Sequence, residues 1–272
     1  MSKVWFVGAG PGAADLITLR GAKVVSEADV VVWARSLVME EVLEHASPEA
    51  EVFESTSVPL ERVRELYERA VHEDLRIARI HSGDPSLWGA VLEQIELCED
   101  LGLDWEIVPG VASFGAAAAA LGRELTVPEV SQSVILTRRA SRTPMPNNED
   151  IKAFAAHGTT MAIFLSAARP RALQEDLLEG GYAPETPCAV VYRASWPDEQ
   201  VIECPLEELA DRIRAAGFTR QALVFVGPGL AAGGTRSHLY DPGFSHRFRK
   251  AEDRKADRRR DRAPDAVADG KS

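Results

Sequence analysis

Cysteine is scarce in this chain, and the three present, Cys98, Cys188 and Cys204, show no C-x-x-C spacing. So few thiols cannot build a disulfide framework; they read as core or surface side chains in a reducing compartment, and the expected location is the cytoplasm. Excess positive charge is lacking too. A formal net charge of -11 argues against a general nucleic-acid binder, whose surface needs clustered cations to neutralise phosphates. It also requires that any anionic substrate be met by a local basic patch. No apolar run approaches the roughly 18 residues that cross a bilayer, so no membrane partner is expected. The opening MSKVWFVGAG reads as a strand rather than a signal peptide. The six histidines never form an i, i+4 pair with a carboxylate, so no metal site is expected.

What is present is a chain of 272 residues, enough for one large or two modest domains with a real core. Its most informative stretch is Arg79 to Gly89, RIHSGDPSLWG. Leu75 to Ile80 alternates apolar with basic residues, stops at a Ser-Gly-Asp-Pro turn, and gives way to helical spacing from Leu87 to Cys98. Strand, loop and helix in that order place Asp84 at the carboxyl end of a strand, where open α/β sheets collect ligands. Asp84 then faces a ligand, with Pro85 stiffening the turn. The alternative is an ordinary Asx turn.

A second strand–loop–helix unit opens the chain. Val4 to Val7 feeds Gly8-Ala9-Gly10-Pro11-Gly12-Ala13, and helical spacing follows through Leu16, Leu19, Ala22 and Val25. These residues satisfy the G-x-G-x-x-(G/A) dinucleotide pattern. Against it, Pro11 removes a backbone donor where a pyrophosphate would want one, and the next strand, Val30 to Trp33, ends at Arg35 rather than at an acidic ribose partner. An NADP enzyme can use such an arginine, so an oxidoreductase stays open as the alternative.

Further elements alternate. Helices are expected over Leu37 to Ala46, Leu60 to His72 and the alanine-rich Ser113 to Leu121, with strands at Glu51 to Phe53 and Trp105 to Val108. This order indicates a mostly parallel sheet. The run of alanines implies close packing of that helix on a sheet or a flat ligand. Strand character over Val130 to Arg138 and a Pro-rich loop, Arg142 to Pro146, start a second series. Helices at Asn148 to Ala156, Pro170 to Glu179 and Leu206 to Ala216 are interleaved with strands at Thr160 to Leu165, Cys188 to Arg193, Gln200 to Glu203 and Ala222 to Val226. The expected division is residues 1–125 and 126–235, with the natural site in the cleft between the halves. Residues 236–272 form a tail, disordered from His246 onward because it has almost no large apolar residue to offset its ordering entropy.

Four motifs in fixed order, Gly8 to Gly12 (GAGPG), Ser82 to Gly89 (SGDPSLWG), Val108 to Gly122 (VPGVASFGAAAAALG) and the closing PCAVVYRAS with RQALVFVGP, resemble the tetrapyrrole methylases. That family methylates precorrins and uroporphyrinogen with S-adenosylmethionine. Within it, Glu129 to Pro146 (EVSQSVILTRRASRTPMP) is similar to the members that act on C-11 of precorrin-4, with or without cobalt, in cobalamin biosynthesis. Another precorrin or uroporphyrinogen III is the alternative substrate, and a tetrapyrrole carrier without turnover the non-enzymatic one. The resemblance implies an α/β fold of two α/β domains, S-adenosylmethionine in the cleft between them with S-adenosylhomocysteine as product, and a homodimer. Position by position, it implies cofactor contacts at Pro11, Gly83, Asp84, Leu87, Ala112, Ser113, Leu165, Ala194 and Ala222. Small residues suit the flat adenine, and Asp84 suits the positive sulfonium and ammonium. No side chain identifies itself as a catalytic base. A precorrin carries several carboxylates, which arginine forks grip well. Arg138 and Arg142 are the foremost candidates, followed by Arg139, Arg35 and Arg193.

Overall fold

The computed structural model describes residues 2–140, 143–146, 148–231, 233 and 237–250. The fold is mixed α/β and contains two five-stranded sheets. The first holds β1 (Lys3–Gly8), β2 (Val30–Trp33), β3 (Glu51–Glu54), β4 (Arg76–His81) and β5 (Asp104–Val108) in the order β3-β2-β4-β1-β5. All its pairs are parallel. The inner strands β1 and β2 read as near-continuous apolar runs because both faces are covered, whereas the edge strands β3 and β5 carry acidic residues and are partly exposed. One face buries Val7, Val31 and Ile80 against Ile17 and against Val25 of α1 (Leu19–Glu27). The other buries Phe6, Val32 and Ile77 against Leu66 and Tyr67 of α2 (Leu60–Glu73) and Ile95 of α3 (Leu92–Leu101).

The second sheet is mixed, in the order β6-β7-β10-β8-β9. Its strands are β6 (Val134–Arg138), β7 (Thr160–Phe164), β8 (Pro187–Tyr192), β9 (Gln200–Pro205) and β10 (Ala222–Val226). β6 and β7 run parallel, and the remaining pairs are antiparallel. One face buries Met161, Val190 and Val224 under Leu173 and Leu177 of α6 (Pro170–Glu179) and Ile213 of α7 (Leu209–Ala215), with the short α5 (Ile151–Ala155) beside them. The opposite face receives α4 (Ser113–Ala120), which follows β5 of the first sheet: Ala117 and Ala118 pack on Ala162, Val191 and Phe225. Methyl side chains let this helix lie close to the second sheet, which joins the two layers.

Local chemistry sets several boundaries. The Thr18 hydroxyl accepts the Gly21 N–H at 3.0 Å and starts α1. Asp150 caps α5 by accepting the Ala153 N–H at 2.6 Å, so that helix is shorter than the expected Asn148 to Ala156. The helix expected from Leu87 begins only at Leu92, because Trp88 (φ 53) and Ala90 (φ 48) are left-handed and cannot enter an α-helix. The helix expected over Leu37 to Ala46 is a tight 3-10 stretch, Glu40–His45. Strand β6 starts at Val134, after Glu129 turns left-handed (φ 64) and Val127 meets Ser131 in an isolated bridge. Of the expected tail, residues 237–250 carry local turns such as the one at His238–Tyr240. Residues 251–272 lie outside the described residues.

Candidate active site

Three strands of the first sheet end in glycine-lined loops that touch. Gly10 and Gly83 exchange two backbone bonds, Gly83 N–H to Gly10 O at 2.7 Å and Gly10 N–H to Gly83 O at 3.2 Å. A side chain on Gly110 would collide with the Gly83 carbonyl and lie 2.7 Å from the Gly8 Cα. The ends of β1, β4 and β5 are therefore bare backbone held in contact.

Asp84 clamps the same corner. One carboxylate oxygen accepts the Ser86 N–H at 2.8 Å together with the Ser86 hydroxyl, and the other accepts the Gly110 N–H at 2.9 Å. Partial burial pushes its carboxyl up, but the bonds from Ser86 and Gly110 outweigh this and hold it below its ordinary value. The geometry thus draws the Asx turn and adds a bridge to the β5 loop.

Beside this corner, between the sheets, opens a cavity of about 590 Å3, a size suited to a nucleoside-bearing ligand. Pro11, Ser113, Leu165, Ala194 and Ala222 line it. Of the other expected cofactor residues, Gly83, Asp84, Leu87 and Ala112 do not line the cavity. Ala112 is the N-cap residue of α4, a side chain on Gly83 would meet the Ser113 N–H at 3.5 Å, and the Leu87 N–H donates to the Asp84 carbonyl at 3.2 Å. Apolar and small side chains dominate the lining, and its polar residues include Ser36, Ser82, Ser113, Arg193, Arg220 and Gln221; Arg220 is one that sequence reasoning did not single out.

The arginines separate. Arg193 lines the cavity and, with Arg35, a second hollow of about 460 Å3 that shares Arg193 and Trp196 with the first. The Arg193 guanidinium donates to Gln221 Oε1 at 2.8 Å and Asp198 Oδ2 at 2.7 Å and sits 4.9 Å from the Trp196 ring centre. Arg35 lies 6.0 Å from the Trp33 ring centre and makes no ion pair among the described residues. Arg138 instead donates to the carbonyls of Thr143 (3.3 Å) and Pro144 (2.8 Å), pinning the Pro-rich loop. Arg139 pairs with Asp176 at 2.7 Å. Neither lines the cavity, and Arg142 lies outside the described residues.

Sequence reasoning passed over the residues that join the two sheets. Trp196 donates its indole N–H to the Pro11 carbonyl at 3.0 Å, and the Ser195 hydroxyl accepts the Ala13 N–H at 3.0 Å. The Gln221 amide donates to the Ser36 carbonyl at 3.2 Å, and Trp88 lies 4.5 Å from Phe164, centre to centre. Leu165 (φ 52), Arg193 (φ 48), Ser195 (φ 66) and Gln221 (φ 53) are left-handed without being glycine, a strained state that clusters at ligand sites. At the end of β4, the Arg79 guanidinium bonds to Ser55 (2.8 Å) and Gln94 (3.1 Å) and meets no carboxylate among the described residues. Its neighbour His81 is buried with Nε2 unpartnered. Burial, and then the charge of Arg79, pushes that imidazole down to about 3. The alternation of basic with apolar residues in RIARIH was the signal for this pair.

The joints also decide against the dinucleotide reading of Gly8 to Ala13. The Ala13 N–H is taken by Ser195, the indole of Trp196 covers Gly12, and α1 begins only at Leu19. Only the single 3-10 turn Ala14–Leu16 follows the glycine loop directly, so no α-helix N-terminus stands over it to hold a pyrophosphate.

The sequence of residues 3–210 matches the model of the tetrapyrrole (corrin/porphyrin) methylases, and the chain belongs to that family. It is 46% identical over 248 residues to a precorrin-4 C(11)-methyltransferase of a Sinorhizobium species, an alignment covering 90% of this chain and 98% of the relative. The solved structure of a cobalt precorrin-4 methyltransferase superposes with a TM-score of 0.82 at 40% identity, covering 85% of this chain and 96% of that one. The uroporphyrin-III C-methyltransferase of Thermus thermophilus, solved with S-adenosylhomocysteine, superposes with a TM-score of 0.71 at 28% identity, covering 84% and 93%.

Proposed function

We propose that this chain is an S-adenosylmethionine-dependent methyltransferase that methylates C-11 of precorrin-4, or of its cobalt form, in cobalamin biosynthesis. The observation that carries the reading is the cavity between the sheets, where Pro11, Ser113, Leu165, Ala194 and Ala222 converge from distant parts of the chain. The fit of the cofactor rests on its chemical parts. Small side chains leave room for a flat base, and serine hydroxyls and backbone groups suit the ribose and the amino-acid end. When bound, S-adenosylmethionine supplies an activated methyl group on a sulfonium. The protein's share is to align the accepting ring carbon with that methyl, catalysis by proximity and orientation.

In this reading Pro11, Ser113, Leu165, Ala194 and Ala222 hold the cofactor, and Gly83, Asp84, Leu87 and Ala112 frame it. Arg35 and Arg193 grip carboxylates of the tetrapyrrole where the second hollow meets the cavity, and Arg138 and Arg139 shape the neighbouring loop. Residues 1–125 and 126–235 act as the two domains of the cleft. The homodimer belongs to the same proposal. It is supported by apolar side chains exposed along edge strand β5 and the start of α3, among them Leu92, Trp105 and Ile107. The cytoplasm is the location consistent with this chemistry, and no described helix is long and apolar enough to cross a membrane.

The test is isothermal titration with S-adenosylhomocysteine, using NADP as the control ligand, followed by incubation with S-adenosylmethionine and precorrin-4. Micromolar binding of the first ligand alone, about -8 kcal/mol, and a product heavier by one methyl group are expected. NADP binding alone, or cofactor binding with methyl transfer only to a different tetrapyrrole, would overturn the assignment.

A further inference from the structure

Two of the three cysteines meet across a pair of strands. β8 and β9 are antiparallel, and Cys188 is directly opposite Cys204 in their register. Both side chains point to the same face, into the core that also holds Val190 and Ile202. Opposite residues of an antiparallel pair have Cα atoms about 4.5 to 5.5 Å apart, inside the span of roughly 4.4 to 6.8 Å that disulfides bridge. The two thiols differ in access. Cys188 is buried, its Sγ 3.7 Å from the Thr186 carbonyl, whereas Cys204 lies on the edge strand and is half-buried. Cys98 belongs to the core of the first sheet.

We propose that Cys188 and Cys204 form a dithiol modification site that closes to an intramolecular disulfide on meeting a low-molecular-weight disulfide such as oxidised glutathione. Cys204, the accessible member, loses its proton and attacks one sulfur of the small disulfide. A mixed disulfide forms on Cys204, and the first small thiolate leaves and takes up a proton. Cys188 then loses its proton and attacks the Cys204 Sγ, which forms the Cys188–Cys204 bond and expels the second small thiolate. Two electrons pass from the protein dithiol to the small disulfide, and two small thiols are released. Burial raises both thiols above their ordinary values, so exchange is slow near neutral pH and faster in mild alkali.

The bond ties the base of a hairpin whose far end carries Arg193, Ser195 and Trp196, the residues that meet the glycine loop. Because the crosslink lies away from that end, it leaves S-adenosylhomocysteine affinity unchanged, and the inference stands or falls separately from the proposed reaction. The experiment is incubation of the full-length protein with oxidised glutathione at mildly alkaline pH, then titration of thiols in denaturant and peptide mapping without reduction. Free thiols fall from three to one, the peptides of Cys188 and Cys204 are found linked, the unfolding temperature rises, and a dithiol reductant reverses all three changes. Cys204→Ser keeps both remaining thiols free and shows no rise in unfolding temperature, whereas Cys98→Ser still forms the link. Three titratable thiols after incubation, a persistent glutathione adduct on Cys204, or a bond that includes Cys98 would each overturn the proposal.

Discussion

The two sides of the cleft are built by opposite means. On the first sheet the strand ends are glycines: a side chain on Gly8 or Gly110 would collide with neighbouring backbone, and Gly83 holds a positive φ of 66°. On the second sheet the corresponding corners are Leu165, Arg193, Ser195 and Gln221, side-chain-bearing residues in left-handed conformations that glycine would adopt freely. Each such residue costs about 1 to 3 kcal/mol and persists only where its surroundings over-determine it. The surroundings here are the bonds from Arg193 to Asp198 and Gln221, and from the second sheet to Pro11, Ala13 and Ser36. The first side therefore contributes shape, and the second contributes groups that reach across. Damage to the first should appear as lost stability, damage to the second as lost binding.

The largest effect is expected at Gly110. In Gly110→Ala the added methyl meets the backbone of Gly83 and Gly8, and a collision with backbone rather than a yielding side chain costs about 3 kcal/mol, the upper end of the range for overpacking. Chemical denaturation should show a much lower midpoint, and an unchanged midpoint would remove the close-contact account of the first side. His81, at the end of β4, gives the next effect at mildly acidic pH, about 2 kcal/mol at pH 5. Its imidazole is neutral in the folded protein down to about 3, whereas an unfolded histidine takes its proton near 6.5. With the folded value depressed, this contribution to stability is fully present above about 6.5 and is lost as pH falls from there toward 3. The loss is up to about 1.4 kcal/mol for each pH unit. Denaturation curves between pH 4 and 7 should therefore be flatter for His81→Phe than for the natural protein, and equal slopes would refute the buried neutral imidazole. The smallest effect lies on the second side. Trp196→Phe removes one hydrogen bond to Pro11, about 1 kcal/mol, and should weaken S-adenosylhomocysteine about fivefold in titration calorimetry with little change in unfolding temperature. A large drop in unfolding temperature with unchanged affinity would erase the distinction between the sides.

Much of the fold is legible in the residues. α6 starts at Pro170, where proline suits a first helical position, and its span agrees to the residue with the expectation, as does that of β10. The start of α3 was illegible for a definite reason: nothing in Trp88 or Ala90 marks a left-handed backbone, which both residue types disfavour. The site divides the same way. Motif order brought Pro11, Ser113, Leu165, Ala194 and Ala222 into one list, and the structure sets them around one cavity. Sequence placed Arg138 ahead of Arg139, Arg35 and Arg193, yet it is Arg193 that lines the cavity, because a charge says nothing of its partner until the chain is folded. In the structure the first two are engaged by Pro144 and Asp176.

By itself, the sequence determined the alternation of strands and helices, the glycine loops and the family. These depend on local periodicity, on backbone freedom at single residues and on motifs that need no partner. Only the tertiary structure decided that Asp84 clamps Gly110, that Trp196 and Ser195 occupy the glycine loop, that Arg35 and Arg193 share a hollow, and that Cys188 faces Cys204. Each of these is a contact between residues far apart in the chain. Its existence depends on strand order and register, which are set by how two whole sheets bury their faces rather than by any short stretch of residues.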